Sequence, residues 1–115
     1  MAVLAPMKTA LRPGETVVRE GAANLQKGIE TVGGKLCLTN QRLVFETHAF
    51  NVQRGTTEIE LANVRSAYPC WTRFLGLIPL APNSLAVQTK DEREYRFVLF
   101  KRHAWRADIE ARKVP

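Results

Sequence analysis

The sequence predicts a mainly β domain: a partly open barrel or sandwich of six to seven short strands, capped by one C-terminal α-helix. Three observations carry this. Apolar residues alternate with polar ones at period two through most of residues 16–100. Turn-forming residues punctuate the alternating runs. The period becomes helical only in the last segment, Lys101 to Lys113.

Residues 1–11 read as a tail, and 12–113 as a single domain opening on the turn signal Arg12-Pro-Gly-Glu15. Thr16 to Glu20 starts the first strand, and Ala22 to Gln26 continues it past Gly21, expected to mark a bulge. Gly33-Gly34 reads as a turn before Lys35 to Thr39, where Leu36 and Leu38 share a face. Asn40-Gln41 then connects to Arg42 to Glu46, with Leu43 and Phe45 inward, which makes a hairpin. Arg42 itself reads as structural, its stem along the sheet and its head in water. Gly55 releases the chain into Thr57-Glu-Ile-Glu-Leu61, and Val64 to Tyr68 extends or follows that strand.

The twelve residues from Trp71 to Pro82 break the strand rhythm and read as an insertion. Ser84 to Lys90 and Arg93 to Phe100 form a second hairpin across Asp91-Glu92, with Leu85, Val87, Tyr95, Phe97 and Leu99 inward. In the terminal helix, Trp105 and Ile109 stand one turn apart and anchor one face to the sheet. Such a helix plugs the open corner of a small barrel.

At 115 residues, 45% hydrophobic and 24% charged, the chain has the composition of one folded domain with a single core. Disorder, collagen-like repeats and disulfide scaffolds are excluded. No window approaches the roughly 18 to 20 apolar residues of a spanning helix, and Met1 to Lys8 lacks the pattern of a secretory signal. Ala2 stands where myristoylation needs glycine, and the C-terminus carries no prenylation box. Two cysteines outside any CxxC motif point to a reducing compartment, and the expected location is cytoplasmic with peripheral membrane contact. A net charge of +6 favours an anionic partner.

Enzymatic chemistry finds little support. His48 and His103 are the two histidines, far apart and without a nucleophile–base arrangement around either. A metal site would need Cys37, Cys70, His48 and His103 to converge from four segments with no short-spaced ligand pair. Gly33-Gly34-Lys35 is not a phosphate loop, because Ile29 replaces its first glycine and Leu36 its Ser/Thr. The expectation is therefore no catalysis, no metal and no cofactor.

The string Gly34-Lys-Leu-Cys-Leu-Thr-Asn-Gln-Arg-Leu-Val-Phe45 resembles the core of the GRAM family, with its G-x-L-x-L-T-N-x-R-L-x-F signature. Ile59, Leu61 and Val64, the pattern Leu85-Ala-Val-Gln-Thr followed by Tyr95-Arg-Phe97, and the helix around Trp105 and Ile109 agree with it. The resemblance spans residues 12 to 111 and is to the stand-alone bacterial type. It implies a pleckstrin-homology-like barrel closed by a C-terminal helix, and a module that binds anionic lipids or proteins. Lipid-binding relatives place several Lys/Arg between the first two strands. Here Lys27 and Lys35 are separated by Glu30, which implies charge-driven contact rather than tight headgroup recognition.

The Trp71–Pro82 segment has three readings. As an insertion finger, Trp71 and Phe74 wedge into an interface, Leu77 and Ile78 add apolar area, and Arg73 pairs with a phosphate. As a partner or homodimer surface, the same apolar groups are a contact patch. As plain packing, the segment covers a barrel face. Arg102 and Arg106, one turn apart, read either as a solvated helix face or as an anion-binding pair. An anionic phospholipid membrane is thus the first expected partner, through Lys27, Lys35 and Arg73, and a protein partner or homodimer the alternative. Nucleic acid is disfavoured, because Tyr95 and Phe97 read as core rather than as base-stacking aromatics.

Overall fold

In the computed structural model, residues 7–51, 54–74 and 78–115 are described. Seven strands and a terminal helix follow one another: β1 (Val17–Lys27), β2 (Glu30–Thr39), β3 (Arg42–Asn51), β4 (Arg54–Glu60), β5 (Val64–Phe74), β6 (Ile78–Thr89), β7 (Glu94–Leu99) and α1 (Arg102–Arg112). A short 3-10 turn, Leu61–Asn63, separates β4 from β5. All strands belong to one antiparallel sheet in the order β4-β3-β2-β1-β7-β6-β5, curled into a half-barrel.

The period-two residues fill the concave side. Leu36, Leu38, Leu43, Phe45, Ile59, Leu61, Leu85, Val87, Phe97 and Leu99 are buried in one cluster, with Tyr95 packed against it. Phe45 and Phe97 meet at 5.8 Å between ring centroids and join the two halves of the sheet. The helix adds Trp105 and Ile109, 4% and 0% exposed, as its spacing requires. Gly21 lies beside it: a Cβ there would stand 3.6 Å from the Trp105 ring. The irregularity in β1 falls instead between Val17 and Arg19.

Two expectations about where the chain turns also need correcting. Gly33 and Gly34 are not a turn but part of β2, paired with Asn24 and Ala23. The turn is Gly28-Ile29, between the paired Lys27 and Glu30, with Gly28 at φ +59 in the first central position. Gly34 is required because a Cβ would fall 2.1 Å from the Glu46 carbonyl oxygen on β3. The second correction concerns residues 71–82, which mostly continue the β5–β6 hairpin, with register shifts around Thr72. Pro79 and Pro82 are tolerated because β7 joins β6 only from Ser84 onward, so this stretch has one strand neighbour. Leu75, Gly76 and Leu77 lie outside the described residues.

Residues preceding β1 run across the outer face of β3. Arg12-Pro-Gly-Glu15 is a turn, closed by Glu15 N–H donating to the Arg12 carbonyl at 3.0 Å, with Gly14 at φ +73. Asn40 Nδ2 donates to the Gly14 carbonyl (2.9 Å), Asn40 Oδ1 accepts from Thr16 N–H (2.9 Å), and Gln41 Nε2 donates to the Pro13 carbonyl (3.0 Å). Further along, Lys8 and Thr9 N–H donate to the two carboxylate oxygens of Glu46 at 3.0 and 2.7 Å.

That covering buries what alternation left outside. Cys37 and Val44 are 1% and 0% exposed, and so is Arg42 at 3%, contrary to a head in water. Arg42 Nε donates to Glu15 Oε2 at 2.8 Å and Nη2 to Oε1 at 2.9 Å. Nη2 also reaches the Ala10 carbonyl at 3.0 Å, and Nη1 pairs with Glu58. Thr39 Oγ1 donates to Glu15 Oε2 at 2.7 Å. A buried charge is tolerable only with this degree of pairing.

Candidate functional site

The carboxylates neutralise the cations unevenly. Arg12 pairs with Glu60, Arg19 with Asp108, Arg42 with Glu15 and Glu58, Arg96 with Glu94, and Lys113 with Glu110. Lys35 lies 3.6 Å from Glu20 on the outer face of the sheet, whereas Lys27 is exposed at the β1–β2 turn. Register places Lys27 opposite Glu30 and Lys35 opposite Ala22. The two lysines are therefore about 16 Å apart along the ladder and do not converge.

Arg102 and Arg106 meet backbone instead of carboxylates. Arg102 Nη1 donates to the Cys70 carbonyl at 3.0 Å, and Arg106 Nε to the Ala67 carbonyl at 3.1 Å. Lys113 Nζ donates to the Arg65 carbonyl at 2.8 Å, and Glu110 Oε1 accepts from Ala67 N–H at 3.0 Å. Burial pushes the Glu110 carboxyl up, but the Ala67 N–H, Lys113 and the nearby Arg106 together hold it below its ordinary value. The helix side chains thus occupy the outer hydrogen-bonding groups of β5, an edge strand, in place of an eighth strand. Among the described residues no carboxylate forms an ion pair with Arg102 or Arg106, although Glu110 lies close enough to Arg106 to feel its charge.

Trp71, on β5, is 51% exposed, and its carbonyl accepts from Arg96 Nη1 at 3.2 Å. Across the corner, Phe100 is 85% exposed where the chain leaves β7. Lys101, exposed and left-handed at φ 57, turns the chain into α1. Because Arg102 reaches Cys70 and Arg96 reaches Trp71, the β5–β6 hairpin and the β7–α1 turn meet at one corner of the molecule. That corner carries two exposed aromatic rings and the cations Lys101 and Arg102. Of the other expected residues, Arg73 and Phe74 are on β5 and Ile78 on β6. Their side chains, with Leu77, fall outside the described residues.

Phe100 was missed in the sequence, although a signal for it existed, whereas Lys101 belongs to the same basic C-terminal cluster as Arg102 and Arg106. Phe100 is out of phase with Tyr95, Phe97 and Leu99, so alternation turns it outward. Nothing local announces the left-handed Lys101.

A cavity of about 260 Å³ opens on the outer face, lined by Ala22, Asn24, Gly34, His48, Asn83, Val98 and Phe100 among others. Asn24 and His48 converge over Gly33, where a Cβ would meet Asn24 Oδ1 and His48 Cδ2 at 3.1 Å each. Among the described residues no group of three or more His, Cys, Asp or Glu gathers as metal ligands would, and no helix is long and apolar enough to cross a membrane.

This curled seven-stranded sheet with one closing helix is the pleckstrin-homology-like fold. The C-terminal domain of an unknown protein from Leishmania infantum superposes with a TM-score of 0.71 at 14% identity, over 90% of this chain and 88% of that one. The Vps36 N-terminal PH domain gives 0.64 at 20% identity, over 89% and 84%. The linker-DH/PH domains of p115-RhoGEF give 0.66 at 16% identity, with 90% of this chain matching 32% of that structure. These likenesses define the fold. No protein-family model matches the chain, and no curated protein sequence matches it.

Proposed function

We propose that the chain is a GRAM-type, non-enzymatic binding module that docks peripherally on anionic phospholipid surfaces on the cytoplasmic side. The observation that carries this reading is the corner where Trp71 and Phe100 stand exposed beside Lys101 and Arg102. Indole and phenyl rings are stabilised at the headgroup boundary, and each cation near an anionic surface contributes about 1 kcal/mol. Backbone carbonyls fix the heads of Arg102 and Arg106, and Arg102 forms no ion pair with a carboxylate among the described residues. The expected contact is modest, salt-sensitive and indifferent to headgroup identity. It is directed by the β5–β6 hairpin rather than by Lys27 and Lys35.

The test is co-sedimentation with neutral and anionic vesicles at two salt concentrations, with tryptophan emission recorded throughout. Trp105 is 4% exposed, so a lipid-dependent blue shift reports Trp71. Binding to anionic vesicles alone, weakened by salt and reduced by Trp71→Ala or Arg102→Gln, is the expected result. Absence of binding, or binding blind to charge and salt, overturns the proposal. A protein or homodimer contact through residues 71–82 is the second reading, favoured by a hairpin whose outer part has no third strand among the described residues. It predicts a concentration-dependent dimer, lost in Phe74→Asp and Leu77→Asp.

A further inference from the structure

We propose that the outer face of β3 and β4 is a peptide-binding site, filled in this chain by residues 8–12 as a tethered ligand, and that its partner is a linear protein segment carrying Thr or Ser three residues before Arg. The way this arm is held is the first argument. Residues 8–12 are not a strand, and side chains of the sheet bind their main chain. Glu46 accepts from the Lys8 and Thr9 N–H groups at 3.0 and 2.7 Å, and Arg42 Nη2 donates to the Ala10 carbonyl at 3.0 Å. Two successive N–H groups closing on one carboxylate are a recognition geometry that any linear segment can supply.

Selectivity is the second argument, because two contacts read side chains. The Thr9 hydroxyl donates to Glu46 Oε2 at 2.7 Å, and Arg12 forks onto both oxygens of Glu60, with Nη1 on Oε2 at 2.9 Å. Glu60 lies opposite Arg42, four residues along β3 from Glu46, so the sheet register sets the distance between hydroxyl and guanidinium. Ala10 and Leu11, between them, are exposed and leave those two positions free to vary.

The arm's attachment is the third. It joins the barrel through the turn at Pro13-Gly14, with Gly14 at φ +73, so it can lift as a unit while Glu15 stays bonded to Arg42. Arg12 and Glu60 are 38% and 46% exposed, and an ion pair in water is held weakly. Beneath the arm lie Val44 and Cys37, 0% and 1% exposed, an apolar surface that favours a cover. A partner segment of the same pattern therefore exchanges with the arm contact for contact. The site shares no residue with the corner of the membrane reading, so either proposal can fail alone.

Loosening the arm and supplying it in trans tests this, in the full chain with Cys70→Ser. Thr9→Glu together with Arg12→Glu sets carboxylates against Glu46 and Glu60 and should release the arm. The probe is the capped peptide Met-Lys-Thr-Ala-Leu-Arg, residues 7–12, labelled for fluorescence anisotropy. It should bind the released chain about tenfold or more tightly than the intact one, whose tethered arm competes at about millimolar effective concentration. Cys37, shielded by the arm, should react faster with a thiol reagent in the released chain and slow again as the peptide saturates. A peptide carrying the same two substitutions should do neither. Thr9→Val with Arg12→Gln, which removes both contacts without adding charge, should repeat the pattern and guards against unfolding of the acidic variant. No binding to either released chain, equal action of the two peptides, or Cys37 rates that ignore the peptide overturn the proposal.

Discussion

Replacing Arg42 by methionine tests the central electrostatic feature of the fold. The substitution keeps the aliphatic stem and deletes the donors that hold Glu15, Glu58 and the Ala10 carbonyl. Glu15, 6% exposed, is left with the Arg12 N–H and Thr39 hydroxyl alone. Breaking a buried pair on one side costs about 3 to 5 kcal/mol. An unfolding entropy of roughly 2.1 cal/mol/K per residue gives about 0.24 kcal/mol/K for this chain, so the midpoint should fall by about 12 to 20 °C.

The loss should also depend on pH. Arg42, the Arg12 N–H and Thr39 outweigh burial and hold the Glu15 carboxyl at about 2, below its ordinary 4.5. A depressed carboxyl contributes stability that is complete above pH 4.5 and disappears as pH falls toward 2. In Arg42→Met that contribution is largely gone at every pH, so the gap between the two proteins should narrow across that window. Thermal and urea unfolding at pH 7, 4 and 3 measure it. A loss below about 1 kcal/mol at pH 7, or a gap that does not change with pH, refutes the reasoning.

Two further outcomes follow from the same packing. Gly34→Ala should destabilise severely or prevent folding, since its Cβ meets the Glu46 carbonyl at 2.1 Å, whereas Gly33→Ala meets the side chains of Asn24 and His48 at 3.1 Å and should cost far less; chemical denaturation of both separates them. Cys70, half-buried, should react with a thiol reagent in the native state, while Cys37 should react only on unfolding, being buried with its thiol pushed up to about 11; a two-phase modification curve is expected, and equal rates would refute it.

The strands and helix were legible because their burial is local in origin. Leu36, Phe45, Ile59, Val87 and Phe97 fall on the inner phase of their own strands, and Trp105 and Ile109 on one helix face. The misreadings share one cause, which is contact between residues distant in sequence. Gly34 is fixed by a carbonyl twelve residues later, so a Gly-Gly pair resembled a turn. Arg42 is on the polar phase of β3 and looks solvated until its partner, 27 residues earlier, is folded over it. Cys37 and Val44 are buried for the same reason. At the candidate site, the apolar excess of residues 71–82 was visible in composition. Its union with Phe100 and Lys101 depends on Arg96 and Arg102 reaching across to β5, which no spacing rule encodes.

The helix side chains that occupy the outer groups of β5 make the sheet asymmetric as a building block. Of its two borders, one is lined by Arg102, Arg106, Glu110 and Lys113, and the other, β4, has β3 as its one strand neighbour among the described residues. A sheet open on one border can join a second copy border to border and then stop, because the pair exposes no further open strand. Releasing α1 would convert a self-limiting unit into one with two growing ends. The helix therefore also guards that border, and substitutions of Arg102, Arg106 or Lys113 that leave Trp105 and Ile109 in the core should appear as association through the edge of β5.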